Sequence, residues 1–445
     1  SADELLANYK PQGTAQKIEA FDSSFDNLDK RTQRIDIGDL NIALLPKQTR
    51  GETVTVCMKF KSGDEKNLFG KANLQPVAAA MLTRGTKTMT RSEIEDRMTE
   101  LKMAGSITNF TTTRKNLPAA LELVFDAMHN SIMPQDEFDQ FKKQMQVMIE
   151  SMRDKPDALA QNAITQHFNT YPKGDPRYEY SLDESLEQLN KLTVDQVRAF
   201  YKEFGGTSRG EISIVGDFDP KTVEKIIRDD YAKYVSKAHY APVVTEYRPV
   251  KATRVVIDTP DKENAIIVAR SVFPINDTAP DAPALTVANW ILGGGTGLSN
   301  RLIERLRQKE GLSYGAGSHV RIPAKGDNGS FVFRAIVAPQ NMLQAEASAR
   351  DVIAKAIKDG FTDQEVEEAK KGLLQAMQVA RSQDDVVARS WNDKMENQRT
   401  WVFSKKQAEA ISKLTTADVN AALRKYIKPD EITFVLAGDQ KKAAQ

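Results

Sequence analysis

Cysteine and histidine are both scarce in this chain. Cys57 is the only cysteine in 445 residues, which excludes an intrachain disulfide, a thiolate zinc site and an iron–sulfur cluster. One thiol is compatible with reducing and oxidising compartments alike. Because no two histidines share a helical turn, no helix can present two imidazoles to one metal ion. The histidines are His129, His167, His239 and His319.

Neither sign of charge dominates, and long apolar runs are absent. The 62 Lys and Arg residues against 61 Asp and Glu leave a net charge of +1, which gives no electrostatic footprint for nucleic acid or anionic lipid. The apolar runs are too short to cross a bilayer. The polar start at Ser1 is not a signal peptide, and it is compatible with an upstream segment removed by processing.

The chain contains an internal repeat. Segment 191–199 recurs as segment 413–421, and the same offset aligns Gly216-Asp217 with Gly438-Asp439. In each copy a threonine that can cap a helix is followed by a helical segment, a short apolar strand and a Gly-Asp turn. Agreement of helix, strand and turn in one register indicates two homologous halves. The capping pairs are Thr193 with Gln196 and Thr415 with Asp418.

The remaining pattern predicts an α+β fold of two homologous domains, each a mixed sheet covered by long helices on one face. Segments 54–60 and 265–273 are strand-like, Thr362 begins a long helix, and segment 342–357 has an apolar stripe at helical spacing. The proline-containing stretch 237–251 is the expected linker. The predicted domains are 1–235, with a folded part from about residue 25, and 252–445.

The most informative stretch is 289–314. It contains the glycine run Gly293-Gly-Gly295, the segment Ser299-Asn-Arg-Leu302, and Leu306-Arg-Gln-Lys-Glu-Gly-Leu-Ser-Tyr314. A glycine run most often marks a loop that needs positive φ. A phosphate cradle is disfavoured because no Gly-Lys-Ser/Thr and no dinucleotide spacing are present. An arginine and a tyrosine in such a stretch are most often a surface ion pair and a half-buried core residue.

This stretch resembles the pitrilysin/insulysin family of zinc metallopeptidases, which includes the mitochondrial processing peptidase. The resemblance implies that Arg307 and Tyr314 form a catalytic and substrate-binding pair facing a zinc site, with Gly294 and Gly295 in the substrate-binding loop. Arg307 has a fixed fork of donors for peptide carbonyls or a carboxylate. The Tyr314 hydroxyl can hydrogen-bond a carbonyl oxygen as it gains charge.

The zinc motif of that family is missing. Its catalytic half carries His-x-x-Glu-His before a segment similar to Met81-Leu-Thr-Arg-Gly-Thr86, and here the preceding residues are Pro76-Val-Ala-Ala-Ala80. Pro76 and Ala80 therefore stand at the histidine positions, and Ala79 stands at the glutamate position. These side chains have no lone pair for zinc and no base for its water. The run from Ala78 to Ala80 instead suits a helix packed closely in a core.

The third zinc ligand of the family, a glutamate, falls at Glu150 or Ser151, and the sequence alone does not fix that register. One carboxylate cannot hold a catalytic zinc. We therefore expect no metal site in this chain and no peptidase activity from the chain alone.

The first hypothesis is a non-catalytic subunit of a heterodimeric zinc metallopeptidase that cleaves peptides. A partner of the same family carrying His-x-x-Glu-His would supply zinc and the base, and it is either a separate polypeptide or the other half of a cleaved precursor. A second hypothesis is an assembly scaffold, like the core proteins of respiratory complexes, and a third is a peptide-binding or holdase module. Resemblance to bacterial members with signal peptides implies a periplasmic location, with the cytoplasm as the alternative.

Overall fold

A computed structural model describes residues 18–295 and 300–444, and these residues contain two β-sheets. The start at Ser1 lies outside the described residues. The first sheet has the order β1-β2-β6-β3-β5-β4, with strands β1 Gln33–Ile37, β2 Asp39–Pro46, β3 Thr53–Phe60, β4 Ala104–Gly105, β5 Asn109–Thr113 and β6 Arg209–Gly216. The second has the order β7-β11-β8-β10-β9, with strands β7 Arg254–Asp258, β8 Ala265–Pro274, β9 Ser313–Arg321, β10 Asn328–Val337 and β11 Thr433–Gly438.

The two sheets share one topology, as the repeat predicts. β6 pairs parallel with β2 and antiparallel with β3, and β11 pairs in the same way with β7 and β8. The next two strands are antiparallel in both sheets, so β5 and β4 correspond to β10 and β9. β9 is consequently an edge strand, and β1 is an additional strand of the first sheet.

Helices make up most of the remaining chain. Up to residue 231 they are Phe25–Arg31, Leu74–Met81, Arg91–Glu100, Leu117–Asn130, Gln135–Met152, Pro156–His167, Leu182–Lys191, Val194–Phe204 and Pro220–Tyr231. After residue 281 they are Ala282–Asn289, Arg301–Ile303, Met342–Asp359, Asp363–Ala380, Asp384–Glu396, Trp401–Lys413, Thr416–Tyr426 and Gln440–Ala443. Short 3₁₀ turns lie at Arg50–Glu52, Pro339–Asn341 and Pro429–Glu431.

The sequence signals for helix starts are confirmed. Thr193, Thr362 and Thr415 each form a complete capping box, in which the threonine side chain and the residue three positions on satisfy each other's backbone N–H groups. The Met342–Asp359 helix buries its predicted apolar stripe and ends at Gly360, whose φ of 80° is left-handed.

One face of each sheet carries the long helices, which confirms the predicted α+β fold. In the first sheet, buried side chains of β2, β3 and β6 pack against helices Leu117–Asn130 and Val194–Phe204. In the second sheet, β8, β10 and β11 pack against helices Met342–Asp359 and Thr416–Tyr426. Each half therefore has a hydrophobic core of its own on this face.

The opposite face of the first sheet is covered by a helix from the other half of the chain. The Asp384–Glu396 helix lies across β3 and β6, and its buried side chains form a cluster with Leu28 and with residues of these strands and β2. Asn392 fixes the contact, because its side-chain amide donates to the carbonyl oxygen of Cys57 at 3.0 Å and accepts from the Ser213 hydroxyl.

The second sheet is covered in the same way by a helix from the first half of the chain. Pro156–His167 packs against β8 and β11, with Ala160 and Ile164 buried on strand residues such as Ile266 and Val268. We call these two elements the exchanged helices, and the sheet surfaces they cover the inner faces. The exchange was not predicted, because an amphipathic pattern shows that a helix is half-buried without showing which sheet buries it.

The predicted linker contains no helix or strand between residues 234 and 253. It is held to both halves, since Asn67 donates to the carbonyl of His239 and Asp327 accepts from the backbone N–H of Tyr247. The exact domain bounds, 1–235 and 252–445, stay a prediction. In the part of the chain that the structure describes, no helix is both long and apolar enough to cross a bilayer.

Candidate functional site

Tyr314 lies at a β-bulge near the start of the edge strand β9. Ser313 is opposite Val337 and Gly315 is opposite Ile336, so Tyr314 is the one residue without a partner on β10. The Ser313 hydroxyl stabilises the bulge by donating to the Gly315 carbonyl at 2.7 Å. A bulge redirects the extra side chain, and Tyr314 is 64% exposed. The expectation of a half-buried tyrosine is therefore wrong.

Arg307 lies in a π-helical turn, Glu304–Lys309, that immediately precedes β9. Leu306 of this turn is buried in the second core, and its carbonyl accepts the N–H of Leu312 at 2.8 Å. Gly311, with φ of 62°, allows the chain to reverse into the strand. Single π turns often occur at functional sites, and this one leaves the Arg307 side chain on the surface.

The cations on either side of Arg307 are paired with carboxylates. Arg305 forms an ion pair with Glu310, and Lys309 pairs with Glu304 at 2.8 Å. Within residues 18–295 and 300–444, Arg307 has no hydrogen-bond or ion-pair partner. The alternative of an arginine in a surface ion pair is therefore not observed. Its guanidinium is free to bind a group from outside the chain.

The glycine run is required by close packing rather than by positive φ, which corrects the expectation. Gly295 has φ of −64°, and Gly293 and Gly294 are not left-handed either. A Cβ on Gly293 would lie 2.5 Å from the Ser318 hydroxyl oxygen, and one on Gly294 would lie 2.4 Å from the Asn289 amide nitrogen. Asn289 in turn accepts from the Ser318 hydroxyl at 2.7 Å, so the run is held against β9.

The predicted residues thus lie on β9 or in turns that contact it: Tyr314 near the start of the strand, Arg307 in the turn before it, and the glycine run against its middle. The π-helical turn Trp290–Gly294 and the turn that carries Arg307 both contact this strand. In the motif that follows the glycine run, Ser299 lies outside the described residues. Leu302 is buried, and Arg301 forms an ion pair with Glu365 at 2.7 Å. Arg301 and Leu302 therefore hold the local fold and leave Arg307 and Tyr314 exposed.

The degenerate zinc helix is Leu74–Met81, and it has one buried side. Ala78 is 2% exposed, whereas Pro76 and Ala79 are exposed and Ala80 is half-buried. The expectation that the whole run of alanines packs in a core is wrong for Ala79, because a helix lying on a sheet buries one stripe only. The three family positions therefore form a surface without a ligand atom.

The residues present do not fit a zinc ion. Glu150 lies on the surface of the Gln135–Met152 helix and pairs with Arg153 at 3.3 Å, and its neighbour Ser151 bonds its own helix backbone. In the described part of the chain, no three histidine, cysteine, aspartate or glutamate side chains are grouped so that they could hold a metal. Proline and alanine side chains offer no donor atom to zinc at the family's ligand positions.

Comparison with known proteins supports the same assignment. Residues 191–373 match the family model described as the peptidase M16 inactive domain, and this range contains both Arg307 and Tyr314. An uncharacterized zinc protease of Mycobacterium tuberculosis is 24% identical over 64% of this chain, and the chain spans only 66% of that relative's length. A non-peptidase homolog of Helicobacter pylori is 20% identical over 86% of this chain and 89% of its own length.

The fold has a solved counterpart of nearly the same extent. The crystal structure of a peptidase M16 inactive domain from Pseudomonas fluorescens superimposes with a TM-score of 0.78 at 20% identity, covering 92% of this chain and 97% of the other. The matches together with the absent ligand set support a non-catalytic member of the peptidase M16 family.

The ligand positions lead to a prediction about metal binding. Dialysis of the purified chain against zinc should leave no stoichiometric zinc, because positions 76, 79 and 80 offer no donor atom. Elemental analysis of the dialysed protein provides the measurement, with a chain of the same family that carries His-x-x-Glu-His as the positive control. One tightly held zinc per chain would contradict the assignment of a non-catalytic member.

Proposed function

We propose that this chain is the substrate-binding subunit of a heterodimeric zinc metallopeptidase that cleaves peptides. The observation that supports it is the pair Arg307 and Tyr314, whose side chains are exposed and have no partner within residues 18–295 and 300–444. The closely packed glycine run lies against the same strand, β9. A chain without zinc ligands has a chemical use for such a pair only if another subunit breaks the bond.

Each residue has a separate role in this proposal. Arg307 binds carbonyl groups of the peptide through its planar fork of N–H donors. Tyr314 donates its O–H to the carbonyl oxygen that gains negative charge during attack by water. Gly294 and Gly295 lack side chains, so the peptide backbone can approach the loop closely.

The partner carries the chemistry that this chain lacks. It is a member of the same family with the motif His-x-x-Glu-His, and it supplies the zinc ion and the general base. In this proposal the partner is either a separate gene product or the other half of a precursor that has been cut. The complex acts in the periplasm, which cell fractionation with antibodies against this chain would test, since the cytoplasm is the alternative.

Reconstitution tests the function directly. Affinity capture of the tagged chain from its own organism should recover a stoichiometric second polypeptide that carries His-x-x-Glu-His. We expect each subunit alone to be inactive towards a quenched fluorescent peptide, and the mixture to cleave it. A partner without that motif would favour the assembly scaffold, and the absence of any partner would favour a peptide-binding module. Either result would overturn the proposal.

A further inference from the structure

Three basic side chains share the inner face of the second sheet, beyond the end of the exchanged helix Pro156–His167. Arg270 follows the buried Val268 by two positions on β8, so both point to the same face. Val332 on β10 is opposite Arg270, and His319 on β9 is opposite Val332. Arg321 lies two residues beyond His319. We call Arg270, His319 and Arg321 the basic patch.

In the part of the chain that the structure describes, no carboxylate forms an ion pair with this patch. Among residues 18–295 and 300–444, neither the His319 nor the Arg321 side chain has a hydrogen-bond or ion-pair partner, and both residues are exposed. Arg334 on the same face provides the contrast, because it pairs with Asp157 of the exchanged helix at 2.5 Å. The nearby carboxylate of Glu179 attracts Arg270 but lies beyond ion-pair distance. The patch therefore carries excess positive charge.

The Arg270 side chain packs against an aromatic ring, but its buried Nε–H lacks an acceptor among the described residues. Its guanidinium carbon lies 4.8 Å from the centre of the Phe168 ring, and its Nε is buried with no acceptor in the described residues. Burial and the neighbouring Arg321 lower the pKa of Arg270, while Glu179 acts in the opposite direction. A buried donor without an acceptor is costly. An anion at this position would relieve both the unmet donor and the repulsion.

Two glycines of β9 lie between the patch and Tyr314 on the same face of the strand. Along β9, Gly315 and Gly317 lie on the same face as His319 and Arg321, because each is opposite an even-numbered residue of β10. A Cβ on Gly315 would meet nothing within 4 Å, and one on Gly317 would meet only the Gly293 carbonyl oxygen at 3.2 Å. Between Tyr314 and His319, therefore, β9 projects no side chain of its own from this face.

We propose that the basic patch binds an aspartate or glutamate side chain of an extended peptide that lies along β9. His319 and Arg321 are five and seven residues from Tyr314 in the same strand. Since two extended chains advance equally per residue, the acidic residue lies at about that distance from the peptide residue held by Tyr314. The inference rests on the proposed function, because it assigns a preference to the peptide bound there.

Binding of matched peptides tests the inference. The probes are fluorescent peptides with capped ends, long enough to reach from Tyr314 to Arg321. Each peptide carries one Glu, or one Gln in the matched control, and no other charged residue. The position of that residue differs from one peptide to the next. Fluorescence anisotropy with the full-length protein should show about tenfold tighter binding of Glu than of Gln at the matching position, the scale of one charge-assisted hydrogen bond. The preference should weaken as salt is raised.

Variants locate the effect. Arg321→Gln and His319→Gln, both at exposed positions, should reduce the preference for Glu, and Arg270→Gln should abolish it with an unchanged circular dichroism spectrum. Lys202→Gln removes the same charge from the exposed face of the Val194–Phe204 helix and should leave the preference intact. Preference for Glu that persists in all three patch variants would overturn the proposal.

Different results would overturn the preference for an acidic residue and the proposed function. Equal binding of the Glu and Gln peptides would overturn the acidic preference, while cleavage by the reconstituted pair would continue to support the proposed function. If no peptide binds and the pair cleaves nothing, both proposals are wrong.

Discussion

Tyr314→Phe should lower the peptidase activity of the reconstituted pair by on the order of 10² to 10³, the usual cost of losing one donor to a developing oxyanion. The substitution removes only the phenolic O–H, and the hydroxyl has no partner in the described part of the chain. Folding and assembly should be unchanged for that reason. The measurement is kcat/KM with a quenched fluorescent peptide, together with the stoichiometry of the complex.

The comparison with Arg307 separates two roles. Arg307→Ala should also raise KM, because the guanidinium holds the peptide before and during the reaction. Tyr231→Phe, at the end of the Pro220–Tyr231 helix, is the matched control and should leave the rate unchanged. If Tyr314→Phe and Arg307→Ala both keep full activity, the roles assigned to them are wrong and a scaffold becomes the better explanation.

Trp391→Ala should destabilise the chain by about 3–5 kcal/mol, the usual cost of removing a large buried aromatic side chain. Trp391 is 0% exposed, lies in the exchanged helix Asp384–Glu396, and packs edge-on against Trp401. It belongs to the second half of the sequence but completes the core on the inner face of the first sheet. Unfolding in urea, followed by circular dichroism, gives the change in midpoint.

The control for this prediction lies on the same helix. Arg389 is exposed and, among the described residues, pairs with Asp385 alone, one turn earlier, so Arg389→Ala should cost well under about 1 kcal/mol. A shift of the same small size for Trp391→Ala would contradict the role given to the exchanged helix. A transition that loses the first sheet and retains the second would also be inconsistent with reciprocal packing.

Local signals in the sequence predicted most of the secondary structure. Thr193, Thr362 and Thr415 are recognisable as caps because the partner is three residues away and the bond forms within one turn. The repeat predicted the common topology of the two sheets. Arg307 and Tyr314 were identified by resemblance, and the structure adds that both are exposed, Tyr314 near the start of β9 and Arg307 in the turn before it.

Features that depend on distant pairing could not be predicted. The bulge at Tyr314 exists because β9 and β10 shift register there, and the sequence of β9 alone does not contain that shift. Arg270 and His319 lie on one face because each is paired with Val332 of β10, the strand between β8 and β9. The packing role of Gly293 depends on Ser318, which follows on another element. In each case the partner is fixed by tertiary contacts rather than by local pattern.

The exchanged helices also set an order of events during synthesis. The first sheet is complete in sequence when β6 ends at Gly216, but the helix that covers its inner face ends only at Glu396. At the usual bacterial or eukaryotic rates of elongation, that interval lasts roughly 10 to 40 seconds. During this time Ala43, Leu45 and Val215 lack their final cover. The nascent chain therefore presents an apolar sheet surface until the Asp384–Glu396 helix leaves the ribosome.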